Sequence, residues 1–279
     1  MCSPEVMARV RASLNRRQML GIAGTLGALA LTPRGVLAQS ATPMATPTVS
    51  GFSSIVDLTH TLTQEFPVFP GGVQAEITVN TTIAENGFYT NQLNLQEHTG
   101  THMDAPAHFV EGGTTADMIP VEQFVAPMAV IDISAKTESD PDSQVTVDDI
   151  LAWEDANGEL PAGAFVAMYS GWESRLSDPA SFINLDGDDV QHYPGFDPET
   201  AAFLIEERNI VGIGVDTLSL DFGASQDFGT HITILTAGRY GLEAMANLGT
   251  LPASGATIIV GGPKHEAASG GPTRAFALL

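Results

Sequence analysis

Three histidines and one aspartate fall within eleven residues in the segment Glu97-His98-Thr99-Gly100-Thr101-His102-Met103-Asp104-Ala105-Pro106-Ala107-His108-Phe109. Imidazoles with a carboxylate suit Zn²⁺, Mn²⁺ or Fe²⁺, and a set that leaves coordination positions open is the catalytic rather than the structural form. Pro106 prevents a helix from continuing and biases Ala105 towards extended geometry, so the segment reads as a strand. Residues of equal parity share one face of a strand, and 98, 102, 104 and 108 are all even. An extended chain therefore turns all four side chains the same way. At about 3.3 Å per residue, His102 and Asp104 stand roughly 6.6 Å apart at Cα, whereas His98 starts about 13 Å from His102. The chain must bend between them, and Gly100 is the residue best suited to the bend. A lone histidine more often makes ordinary hydrogen bonds in a core or loop; three with an aspartate on one face favour a metal.

The elements that must hold these residues are mostly strands. Apolar or alternating runs predict strands at 55–58, 75–83, 88–95, 129–133, 164–169, 210–215 and 257–260. Helices are predicted at 148–155, behind a Thr146 cap, and at 198–208, where Pro198 follows Asp197 and Asn209 ends the run. With no repeat and no second linker, residues 51–279 read as one domain. The expected class is mixed α/β with a strand-rich core.

Competing chemistries fail on their residues. Gly212-Ile213-Gly214 has Thr217 where a third dinucleotide-binding glycine belongs, and no phosphate-loop Gly-Lys-Ser/Thr exists. There is no Gly-x-Ser-x-Gly elbow. In 184–195, a calcium loop would need glycine at Asp189 and glutamate at Gly195, so the stretch reads as an acidic solvated loop. His60, His192 and His265 stand alone in the sequence and read as surface or hydrogen-bonded residues. Asp216 and Asp221 end a predicted buried strand and read as caps or braces. Phe66, Phe69 and Trp172 are candidate walls for an aromatic substrate.

The His-Thr-Gly-Thr-His-Met-Asp-Ala-Pro-Ala-His-Phe run resembles the signature of the cyclase family of metal-dependent hydrolases, which includes bacterial kynurenine formamidases and isatin hydrolases. The resemblance extends from about Asp57 to the C-terminus, through Asp57-Leu58-Thr59, Pro70-Gly71, Ser170-Gly171-Trp172, the 212–221 stretch, Gly229-Thr230-His231, Glu243 and Asn247-Leu248. It implies a swivelling β/β/α domain, usually dimeric. It implies His98, His102 and Asp104 as ligands of a first metal and His108 as the acid/base beside it. In the dizinc formamidases the counterpart of Asp104 bridges to a second metal, whose other ligands correspond to His231 and Glu243. One or two ions are therefore expected, Zn²⁺ foremost with Mn²⁺ as the alternative. A helix over 230–237, stopped by Gly238, would put His231 in its first turn and Glu243 beyond the break.

Such a site points to hydrolysis of a formamide, lactam or similar carbon–nitrogen bond in a small molecule. A bound divalent ion lowers the pKa of its water from the bulk value to about 7 and polarises a carbonyl. His108 would then carry the proton from water to the leaving group. The alternative is an exported metal- or ligand-binding protein that keeps the fold without turnover.

Of 279 residues, 11 are Lys or Arg and 33 are Asp or Glu, a net charge of −22. A surface this acidic lacks the basic stripe that nucleic acid requires. The charge is uneven, because residues 1–38 hold five of the bases and one acid. There Arg16-Arg17 precede the apolar run 19–31, and Val36-Leu37-Ala38 resembles a small-residue cleavage site. This segment reads as a twin-arginine export signal, with that machinery as the precursor's partner and a periplasmic or extracellular destination. Residues 39–50, rich in Ala, Thr, Pro and Ser, read as a flexible spacer. Removal after Ala38 would leave 241 residues with 6 bases and 32 acids, net −26, and would take away Cys2, the only cysteine. Thiolate ligands, cysteine nucleophiles and disulfides would be excluded together.

Overall fold

The computed structural model describes residues 51–279; the expected export signal, 1–38, and spacer, 39–50, lie outside the described residues. Residues 79–91 form one compact unit and residues 51–78 with 92–279 another. The strands Glu76–Thr81 and Thr90–Asn94 pair with one another. Ile83, expected at a strand end, instead opens a helical turn, Ile83–Asn86. Thr82 caps that turn by accepting from the Glu85 N–H, and Gly87, at φ 80°, ends it.

In the larger unit nine strands form one sheet. Their spatial order is Ile55–Asp57, Arg274–Leu278, Ala256–Gly261, Val125–Asp132, Phe165–Tyr169, Gly212–Val215, Tyr240–Glu243, His102–Asp104 and Gly270–Pro272. The four strands from Val125–Asp132 to Tyr240–Glu243 run parallel. Parallel neighbours need crossovers, and the helices Val147–Asn157, Pro198–Glu206 and Gly229–Thr236 lie in the intervening chain. The remaining neighbours pair antiparallel. The class is mixed α/β with a strand-rich core, as the sequence indicates.

The two-residue period of the strands sorts the core into two layers. Ala126, Met128, Val130, Phe165 and Ala167 pack with Ile258, Ala275 and Ala277 on one side. Ala129, Ile131, Val166 and Met168 pack on the other with Ile150, Trp153, Leu204 and Ile234 from the crossover helices. A large side chain buried this fully contributes about 1.5–3 kcal/mol, so the two layers are the main force holding the central strands in register.

The His102–Asp104 strand lies between two short partners. Glu243 faces His102 across one ladder, and Gly270 faces Asp104 across the other. The paired strand covers only 102–104, which corrects the expectation of one long even-numbered face. Gly100, at φ 70°, bends the chain before the strand. After it, Pro106 starts a single 3₁₀ turn, Pro106–His108, with Ala105 extended in front. His98 and His108 thus reach the strand's neighbourhood through turns, because a glycine and a proline stop the alternation on either side.

Candidate metal centre

Asp104 is fully buried and is the hub of the site. His98 Nδ1 lies 2.6 Å from Asp104 Oδ1, and His102 Nε2 lies 3.4 Å from the same oxygen. His231 Nε2 lies 3.2 Å from Asp104 Oδ2. Glu243 closes the group, with Oε2 3.3 Å from His102 Nε2 and Oε1 3.1 Å from His231 Nε2. Glu243 is held in turn by the Leu220 N–H, which donates to its Oε1 at 3.0 Å. All five residues expected to hold metal are therefore together, drawn from 98–104, the first turn of the 229–236 helix and the end of a strand.

Each imidazole is oriented from behind. His102 Nδ1 donates to the Gly100 carbonyl at 2.8 Å, and His231 Nδ1 donates to Asp221 Oδ2 at 2.6 Å. Those bonds leave both Nε2 lone pairs facing Asp104 and Glu243, the arrangement by which an outer carboxylate or carbonyl fixes a ligand histidine. His102 Nε2 is buried and has no hydrogen-bond partner among the described residues. Lone pairs and carboxylate oxygens converging in a buried space repel unless a cation lies between them. The donor set therefore fits a divalent metal. His102, Asp104 and Glu243 offer ligand atoms within 4.8 Å of one another, as do His98, Asp104 and His108.

Protons take the cation's place when no metal is bound. Burial works against charge on His102, but Asp104 and Glu243 outweigh it and raise its pKa to about 10. His231 is raised in the same way, against burial, by Asp104, Asp221 and Glu243. Burial opposes ionisation of Asp104, yet His102, His231 and His98 hold its pKa well below the usual value. His108 behaves oppositely: burial is the largest influence and lowers its pKa to about 4. Its ring stacks on His98 with centroids 3.8 Å apart. His108 is neutral at pH 7 and able to accept a proton.

His98, His102, His108, His231 and Glu243 form the floor of a cavity of about 630 Å³. Phe69, Phe109, Phe228 and Leu218 line it, with Phe228 5.5 Å from Phe109 and 6.3 Å from Phe69 between ring centroids. Phe69 is where the sequence expects a wall. Phe66 and Trp172 are corrections, since neither lines this cavity. Phe66 is buried against His60. Trp172 packs among Phe182, Tyr193 and Leu218, and its indole N–H donates to the Phe182 carbonyl. A large ring with one donor found a dry partner in the core. His60 is likewise absent from the lining, and its backbone N–H donates to Thr101 Oγ1. His192 bridges Asp142 and Asp186 in the acidic loop, and His265 pairs with Glu97.

Sequence reasoning misses Phe109 and Phe228, whereas Asp221, read there as a cap or brace, caps the 229–236 helix through the Thr230 N–H and orients His231. Phe109 follows His108 directly and Phe228 lies three residues before His231, so proximity to the ligands was the available signal. Phe228 occupies the left-handed region, φ 52°, where a bulky residue is strained, and that conformation puts its ring on the cavity. Asp216, by contrast, is a brace: it accepts from the Ser170 N–H, the Ser170 hydroxyl and the Trp172 N–H, while burial raises its pKa to about 6.

The chain is similar in sequence and in fold to known proteins. An isatin hydrolase of Roseibium aggregatum is 38% identical over 200 residues, covering 69% of this chain and 75% of that protein. A kynurenine formamidase of Geobacillus thermodenitrificans is 26% identical over 192 residues, covering 68% of this chain and 81% of its own. The crystal structure of an isatin hydrolase bound to the product analogue thioisatinate superposes with a TM-score of 0.77 at 34% identity, over 81% of this chain and 92% of that one. Residues 56–222, which carry His98, His102, Asp104 and His108, match the family described as Putative cyclase, and with relatives of this similarity the chain belongs to the cyclase family.

Proposed function

We propose that this protein is a metal-dependent amidohydrolase that opens a carbon–nitrogen bond in a formamide or cyclic amide carried on an aromatic ring, with a lactone as a related substrate. The observation that carries the reading is the convergence of three imidazoles on Asp104 and Glu243 at the floor of an aromatic-walled cavity, with a neutral histidine beside them. His98, His102, Asp104, His231 and Glu243 would hold one or two divalent ions, Zn²⁺ or Mn²⁺. A bound ion supplies Lewis acidity, polarising a carbonyl oxygen and making water nucleophilic at neutral pH. Phe69, Phe109 and Phe228 hold a planar ring and exclude water around it. His108, neutral at pH 7, takes a proton from the attacking water and returns it to the leaving nitrogen or oxygen. The relatives named isatin hydrolase and kynurenine formamidase support this substrate class.

The test uses mature protein loaded with Zn²⁺ or Mn²⁺ against aryl formamides, lactams and lactones. Turnover that is lost on chelation and restored by metal is the expected result. Inactivity across the panel, in a protein that binds metal and a ligand tightly, would show a binding protein instead. The His108→Ala variant separates the two readings further: it should lower turnover by about 10²–10⁴-fold while metal stays bound.

We further propose that residues 1–38 direct export by the twin-arginine route, so that the mature protein works outside the cytoplasm. The support is the Arg16-Arg17 pair ahead of its apolar run. Replacing both arginines by lysine should retain the precursor inside the cell; unchanged secretion would refute the assignment.

A further inference from the structure

His98 is oriented by residues from the far end of the chain, and the direction of every bond in that arrangement can be worked out. The Ser269 backbone N–H donates to Glu97 Oε2 at 3.1 Å, and the Ser269 hydroxyl lies 2.5 Å from the same oxygen. A carboxylate oxygen only accepts, so the hydroxyl proton is committed to Glu97. Ser269 Oγ can then only accept from His98 Nε2, 2.9 Å away. Ser269 Oγ therefore holds a hydrogen on Nε2; Asp104 Oδ1, 2.6 Å from Nδ1, is an acceptor as well, so Nδ1 is the nitrogen that gives up its hydrogen and offers a lone pair when a cation binds. Glu97 is itself anchored on its other oxygen by His265 Nε2 at 2.6 Å. The ring has little freedom otherwise. His108 stacks on it, and a Cβ at position 270 would lie 2.8 Å from His98 Cε1, so Gly270 is needed for the ring to sit there.

We propose that Ser269 and Glu97 are positioning residues that hold His98 in the Nε2–H tautomer, with Nδ1 aimed at Asp104, and thereby strengthen its grip on the divalent cation. The inference rests on the metal-dependent reading above. Both act through His98, Ser269 directly and Glu97 through Ser269. Ser269 suits the task because a hydroxyl can accept from the imidazole and donate to the carboxylate at once, and Glu97 suits it because a carboxylate cannot reverse the direction. Removing Glu97 frees the hydroxyl to rotate and donate to Nε2, which would move the ring's hydrogen to Nδ1, where it blocks the metal.

The experiment compares metal-free wild type, Ser269→Ala and Glu97→Ala by competition for Zn²⁺ with a chromophoric chelator, and records long-range ¹H–¹⁵N correlations of His98 in the zinc-loaded wild type. Both variants should bind Zn²⁺ about 10- to 100-fold more weakly, and wild-type His98 should show its proton on Nε2. Circular dichroism identifies any variant that does not fold; should Ser269→Ala fail, Glu97→Ala, at a half-exposed site, decides. Zn²⁺ binding by a folded variant within twofold of wild type, or a wild-type His98 proton on Nδ1, would overturn the proposal while leaving the metal reading intact. A wild type that binds neither Zn²⁺ nor Mn²⁺ would instead overturn the metal reading, and this inference with it.

Discussion

Asp221→Asn changes one atom and should misdirect a ligand 10 residues away. Asp221 is buried, its Oδ1 accepting from the Thr230 N–H at 2.7 Å and its Oδ2 from His231 Nδ1 at 2.6 Å. Asparagine has a single acceptor oxygen, and the Thr230 N–H, fixed in a helix's first turn, has first claim on it. The amide NH₂ then faces His231 Nδ1, which must become the acceptor. The ring's hydrogen moves to Nε2, the atom between Asp104 and Glu243, where a metal needs the lone pair. The opposite amide orientation gives up the 2.7 Å bond from the buried Thr230 N–H, at a cost of about 1–3 kcal/mol, whereas the first gives up the longer 3.3 Å bond from the His231 N–H. Loss of an outer-shell partner of this kind weakens metal binding about 10- to 100-fold, or about 1.4–2.8 kcal/mol. Chelator competition at pH 7.5 reads the affinity, and urea denaturation of the metal-free variant reads the folding term separately. Zinc binding within twofold of wild type, in a folded variant, would refute the argument that Asp221 sets the His231 tautomer.

Other outcomes follow from the same geometry. The folded pKa of His102, about 10, stands above its unfolded value of about 6.5, so its contribution to stability in the metal-free protein is complete below about pH 6.5 and is lost as pH rises towards 10. Metal-free protein should melt lower at pH 9 than at pH 6 in a thermal scan, and Zn²⁺ should remove most of that difference; a pH-independent melting temperature would contradict it. Because the metal displaces the protons on His102 and His231, calorimetry in buffers of different ionisation enthalpy at pH 7 should detect proton release on binding. Phe228→Ala should raise KM for an aryl substrate with a smaller change in kcat, since the ring lines the cavity, packs edge-on against His231 and is not itself a ligand. Trp172→Ala should cost about 3–5 kcal/mol in urea denaturation, as a fully buried ring does, and an unaltered midpoint would mean the side chain is not core.

Much of the site was legible because its chemistry is local. His98, His102, Asp104 and His108 declare themselves by residue type within one short segment, and Gly100 declares the bend between them. The helices Val147–Asn157 and Pro198–Glu206 were legible for a similar reason. Thr146 donates through both N–H and hydroxyl to Asp149 Oδ2, and Asp197 accepts from the Glu199 N–H, so each start signal is a bond made within three residues. The strands Tyr240–Glu243 and Gly270–Pro272 carry no such mark. Each is four residues or fewer and holds one or two glycines, too short for an alternation to register.

The chain by itself therefore settles which ligand types are available, where the central strands run and that the surface is acidic, since those follow from composition and from interactions a few residues long. Folding alone decides the rest. Ser269 meets His98 across 171 residues, and His231 meets Asp104 across 127. Glu243, one carboxylate among many, becomes part of the centre only because strand pairing sets it opposite His102. Phe66 and Trp172 are apolar aromatic residues like Phe109 and Phe228, yet the first pair faces the core and the second the cavity. Which side a ring faces is fixed by backbone turns and by competition for buried space, and neither is written in a residue's own neighbourhood.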